Sequence, residues 1–123
     1  MEWHIVIHDA DGYVEVITRG LADRDGSLNM AKAIAHTMRT HRITNALIDH
    51  RSIEDVVGNT LDIYDRPKVF RRLIGAIFRI KIAEIIKPEH RGHFKFLETV
   101  CLNQGYRLFI FEDKDKALAW LLE

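Results

Sequence analysis

Apolar and polar residues alternate from Trp3 to His8 (WHIVIH) and again from Tyr13 to Arg19 (YVEVITR), and Asp9-Ala-Asp-Gly12 between them has the composition of a tight turn. The pattern predicts an antiparallel hairpin. The period then lengthens: Leu28, Ala31, Ile34, Ala35 and Met38 form a helical stripe ending near His41, with Ser27 placed as its N-cap. Asn45 to His50 (NALIDH) is short and apolar, as a buried strand is, and ends in the charged Asp49-His50-Arg51. Ser52 to Thr60 reads as a loop, Leu61 to Asp65 as a short turn, and Pro67 as the first turn of a helix with Val69, Phe70, Leu73, Ile74 and Ile77 inward. Arg79 to Ile86 (RIKIAEII) reads as a central strand stopped by Lys87-Pro88. A helix follows from Glu89 or His90, with Phe94, Leu97, Val100 and Cys101 inward and Gly105 in the left-handed position past its end. Tyr106 to Phe111 is the last strand. Asp113 caps the final helix, which turns Ala117, Leu118, Leu121 and Leu122 inward and lays Trp120 over a flank.

This order predicts one α/β domain over residues 1–123: an N-terminal β-hairpin, then βα units, on a five-stranded mixed, mostly parallel sheet. Right-handed crossovers along a sheet that grows in one direction put the connecting helices mainly on one face. The other face is then expected to be bare. The last two strands are apolar on both sides, so we expect that face, or a sheet edge, to be buried in a homodimer or by the hairpin.

Composition narrows the function classes without selecting one. With 123 residues, 47% of them hydrophobic, the chain can build one ordinary core. It has no run of apolar residues long enough for a membrane span and no signal-peptide pattern at Met1-Glu2-Trp3-His4, so a cytoplasmic location is expected. The single cysteine, Cys101, sits in an apolar helical stripe and reads as a buried thiol. Net charge is zero, yet Arg66, Lys68, Arg71, Arg72, Arg79, Lys81, Lys87, Arg91 and Lys95 stand against only Glu84 and Glu89 between positions 66 and 95. Such a segment suits either solvated faces or an anionic ligand or membrane surface; nucleic acid is not an expected partner.

Open parallel sheets bind ligands where their strands end. That rim gathers Asp49, His50 and Arg51 with Lys87, His90 and Arg91, close to three helix starts whose backbone amides favour anions. Catalytic and metal constellations find little support. His4 and His8 share a face of the first strand, but that strand runs antiparallel to its neighbour, so His8 is expected at the opposite end of the sheet from His50, and His90 and His93 have no third ligand at metal-site spacing. The Asp9 and Asp23 turns have their glycines too early for calcium loops. Asp49 ends a strand as the phosphoacceptor of a response-regulator receiver does, but Asp9 and Asp11 lie in a hairpin turn and cannot complete that pocket. No glycine-rich phosphate loop or nucleophile elbow is present, and no catalytic residue, metal or cofactor is assigned.

Ala46-Leu-Ile-Asp-His-Arg51, Asp62-Ile-Tyr-Asp-Arg-Pro67, Arg79-Ile-Lys-Ile-Ala83 and the ending Ile110-Phe-Glu-Asp-Lys-Asp-Lys-Ala-Leu-Ala-Trp-Leu121, together with the hairpin, carry a resemblance over nearly the whole chain. The chain resembles the STAS-like domains, the fold of bacterial anti-sigma-factor antagonists, and in particular their SpoIIAA-like branch of small stand-alone proteins. The resemblance implies a non-enzymatic regulatory module that docks a partner protein. It also implies a phosphoswitch on a serine opening the helix after the third strand. Here that region, Val56-Val-Gly-Asn-Thr60, offers only Thr60, with Ser52 earlier, and neither has the family's acidic neighbour and glycine in place. The wider group's likeness to CRAL-TRIO domains implies an amphiphilic ligand, for which no residue here argues; the alternative reading, from charge, is a small-ligand, phosphoanion or lipid-surface binding protein using the basic 66–95 segment.

Overall fold

In a computed structural model of the chain, the described residues are 1–57 and 80–123. The helix expected from Pro67 and the phosphosite candidate Thr60 lie outside them. Strands β1 (Glu2–His8), β2 (Tyr13–Ala22), β3 (Asn45–Val56), β4 (Lys81–Ile85) and β5 (Arg107–Phe111) form one sheet in sequential order. Helix α1 (Arg24–His41) joins β2 to β3. A single 3-10 turn (Pro88–His90) leads into α2 (Arg91–Asn103), which joins β4 to β5, and α3 (Lys114–Leu121) closes the chain. β1 and β2 pair antiparallel through seven residues, from Glu2 opposite Arg19 to His8 opposite Tyr13, and every other pairing is parallel.

Alternation along each strand sorts the core into two layers. Val14, Val16, Ala46, Ile48, Ile82 and Leu108 face one way and pack on Met30, Ile34 and Met38 of α1 and on Phe94, Leu97 and Val100 of α2. Each such buried aliphatic or aromatic side chain contributes about 1.5–3 kcal/mol. Tyr13, Leu47, Ala83 and Ile85 face the other way, onto Ala117 and Leu121 of α3. The expected bare face is therefore corrected: α3 lies across β3, β4 and β5. The crossover rule governs helices between strands, as α1 and α2 are, whereas a terminal helix is free to take the opposite face. Trp120 covers the flank of that face, its ring against Phe109 and Phe111.

Two boundaries also differ from expectation. Ser27 does not cap α1; Asp23 does, its Oδ1 accepting from the Gly26 amide at 2.6 Å, which puts Ser27 inside the first turn. β3 does not end at His50 but runs to Val56, because β2 continues beside it to the pair Ala22 and Val56, well past the last β3–β4 pair, Asp49 and Ile85. This two-stranded extension twists through two register shifts, and Gly20, at φ 86°, supplies the left-handed step at one of them. The end of α2 is as expected. Gly105, at φ 87°, lets its own amide reach Leu102 and the Tyr106 amide reach Cys101, and Cys101 is buried.

Candidate functional site

The rim residues do not form one constellation, since neighbours along a strand point to opposite faces. Asp49 lies on the α3 side, between Ile17 and Ile85 in register. Its carboxylate accepts from Arg51 Nε at 2.9 Å, Arg51 Nη2 at 2.7 Å and the Arg51 amide at 3.0 Å. Burial pushes the Asp49 carboxyl up, but these hydrogen bonds and the guanidinium charge outweigh it and hold the group below the usual carboxylate range. The same pairing raises Arg51, which burial alone would lower.

His50 is turned to the other side and is not available at the rim: it is only 3% exposed and its ring stacks on Phe94 at 4.8 Å. It stands in a row of buried polar side chains across three adjacent strands, Thr18 of β2, His50 of β3 and Glu84 of β4. Thr18 Oγ1 lies 3.1 Å from the Asp49 carbonyl, which can only accept, so the hydroxyl donates there. His50 Nδ1, 2.8 Å from the same Oγ1, must then be the donor to it. Nε2 faces Glu84 Oε1 at 3.4 Å. Glu84 Oε2 has no hydrogen-bond partner. A threonine hydroxyl that is fully buried and spent on a carbonyl is not placed to attack a substrate.

On the α2 side of the rim the cations are matched. Arg91 Nη1 meets Glu112 Oε2 at 2.8 Å, Lys87 lies 3.6 Å from Glu89, and Lys95 Nζ is held by Glu98. Lys81, at the far end of β4, donates to the Trp120 carbonyl at 2.8 Å and sits over its ring at 4.6 Å. These are the described cations of the basic segment; Arg66, Lys68, Arg71, Arg72 and Arg79 lie outside the described residues. Among the three described helix starts, Asp23 and Asp113 already supply a carboxylate to α1 and α3. His90 sits in the 3-10 turn with its Nδ1 buried and without a hydrogen bond. Ser52 is exposed on β3, in register with Arg19, rather than at a helix start.

A second charged cluster escaped sequence reasoning. Glu15, buried on the α3 face of β2, takes His8 Nε2 at 2.9 Å on Oε1 and Lys114 Nζ at 2.9 Å on Oε2, tying the hairpin to the first turn of α3. Burial raises its carboxyl, but Lys114 and His8 more than compensate and hold it below the usual range. Lys114 is raised in return. The signal was a charge inside an apolar strand, as with Glu84, but Lys114 is 99 residues away in sequence and nothing local points to it. His8, at the start of the β2 and β3 pairing, lies far along the sheet from His50. Among the described residues no three His, Cys, Asp or Glu side chains gather as a metal site would require.

No protein-family model matches the chain, and no curated protein matches it by sequence. Solved structures match it in fold. An anti-sigma factor antagonist from Mycobacterium paratuberculosis aligns with a TM-score of 0.66 over 99% of this chain and 94% of its own, at 13% identity. An uncharacterised protein with a SpoIIAA-like fold from Shewanella loihica aligns at 0.61 over 98% and 92%, at 19% identity. The unphosphorylated anti-sigma factor antagonist SpoIIAA aligns at 0.54 over 97% and 96%, at 11% identity. The chain has the SpoIIAA-like fold, the STAS-like architecture that its motifs resemble.

Proposed function

We propose that the protein is a non-enzymatic regulatory module that docks a partner protein against the rim, with Asp49 and Arg51 on its α3 side and Lys87, His90 and Arg91 on its α2 side. The observation that carries this reading is the matching of the rim's charges: Arg51 is held by Asp49, Arg91 by Glu112 and Lys87 by Glu89. A rim whose cations are already paired offers a polar, pre-arranged surface with little net field, which suits a protein partner better than a phosphoanion or a lipid surface. Anti-sigma factor antagonists among the fold's solved members favour the same class of role. No helix among the described residues is long and apolar enough to cross a membrane.

Affinity capture from cell extract with the wild type and with an Arg51→Ala, Arg91→Ala variant tests the proposal. The wild type is expected to retain one stoichiometric protein at low and at high salt, and the variant to lose it. Tight binding to anionic vesicles that collapses with rising salt, in place of that protein, would overturn the reading in favour of the anionic-surface alternative.

A further inference from the structure

The two edges of the sheet are finished differently. On β5 the Phe111 carbonyl accepts from Ile86, so the backbone groups of the alternate residue, Ile110, point outward. The Ile110 N–H is already taken by Glu98 Oε2 at 2.8 Å, from a carboxylate on α2 that is buried beside the strand. β1 has no such cover among the described residues. Little in the strand itself blunts this edge: Glu2 carries a charge at its start, but its seven residues, Glu-Trp-His-Ile-Val-Ile-His, contain no proline, lysine or arginine, and its register with β2 runs without a bulge.

We infer that β1 is an assembly edge whose occupant is β1 of a second copy of this chain, paired antiparallel about Ile5. The side chains are self-complementary in that register. Trp3 faces Ile7 of the partner subunit and Ile5 faces Ile5 of the partner subunit, on the side where all three are half-buried against the core, so the apolar layer continues across the join. On the other side Glu2 faces the partner's His8, carboxylate against imidazole, and no two acidic groups meet. Sliding the pair by two residues either way sets His4 on the partner's His4 or leaves Glu2 and Trp3 unpaired, so a full seven-residue ladder exists only about Ile5. The product is a continuous sheet with a two-fold axis through its centre.

Cysteine scanning reads out both the pairing and its register. Directly opposed residues in an antiparallel pair have Cα atoms about 4.5–5.5 Å apart, within disulfide reach. Ile5→Cys is therefore expected to form a disulfide-linked dimer under mild oxidation. Ile7→Cys is expected not to, because the two Ile7 positions fall four residues apart along the strands, about 14 Å. The wild type, whose Cys101 is buried, is the control. Because Glu2 is exposed, Glu2→Lys should leave folding intact by circular dichroism while weakening dimerisation roughly two- to thirty-fold in sedimentation. A wild type that stays monomeric at every concentration would overturn the inference. So would equal cross-linking at Ile5→Cys and Ile7→Cys, or a β1 edge filled by an extended peptide of another protein.

Discussion

Glu15→Gln removes one charge from a buried site and leaves the shape of the side chain unchanged, so its cost isolates the link between the hairpin and α3. Glu15 is 9% exposed at its side chain and accepts two hydrogen bonds from His8 and Lys114. Hydrogen bonds to charged groups contribute about 1.5–3 kcal/mol each. His8 and Lys114 are 30% and 39% exposed, so water recovers part of both when the charge is lost. Gln also retains one acceptor. A net loss of about 2 kcal/mol at pH 7 follows. The sign with pH is determined: the folded carboxyl stands below its unfolded value, so the contribution is complete above the unfolded pKa of about 4.3 and disappears as pH falls through the lower folded value. Urea unfolding of the wild type and the variant at pH 7 and near pH 2.5 measures this directly. The gap between them should shrink to under about 0.5 kcal/mol in acid. A gap of the same size at both pH values would refute the ion-pair account and assign the loss to packing.

Substitutions at Glu98 and at the Glu84–His50 pair probe two other buried carboxylates. Glu98→Ala strands the outward Ile110 N–H and frees Lys95, so it should cost about 1–3 kcal/mol and yield larger assemblies in light scattering as the β5 edge opens. Glu84→Leu alone leaves His50 buried without its partner and should cost about 3 kcal/mol, whereas His50→Phe with Glu84→Leu should cost far less than the sum of the single changes. Denaturant unfolding of the four-member cycle checks this, and additive losses would show that the two groups do not act as a pair.

The order and direction of the strands were legible because each run carried its own period and turn, and sequential pairing follows from short connections. What could not be read was whatever another part of the chain decides. Arg51 to Val56 has the charge of a loop and became strand because β2 extends beside it. Asp23 rather than Ser27 caps α1 because its carboxylate, not the later hydroxyl, meets a free amide. Asp49, His50 and Arg51, expected at a strand end, lie within β3, and a period of two separates Asp49 from His50, so one is a largely buried carboxylate paired with Arg51 and the other a core residue under Phe94. Thr18, Glu84 and Glu15 carried only the hint of polarity within apolar runs, since their partners come from distant strands and helices.

A sheet that can add strands at both ends has no reason to stop, and its copies would string together into a filament. With the Ile110 amide already occupied, the β5 edge offers an added strand one donor fewer, whereas no such contact covers β1 among the described residues. If β1 pairs with its own copy as inferred above, further growth has only the β5 edge to use, and there a single carboxylate on a neighbouring helix stands against it.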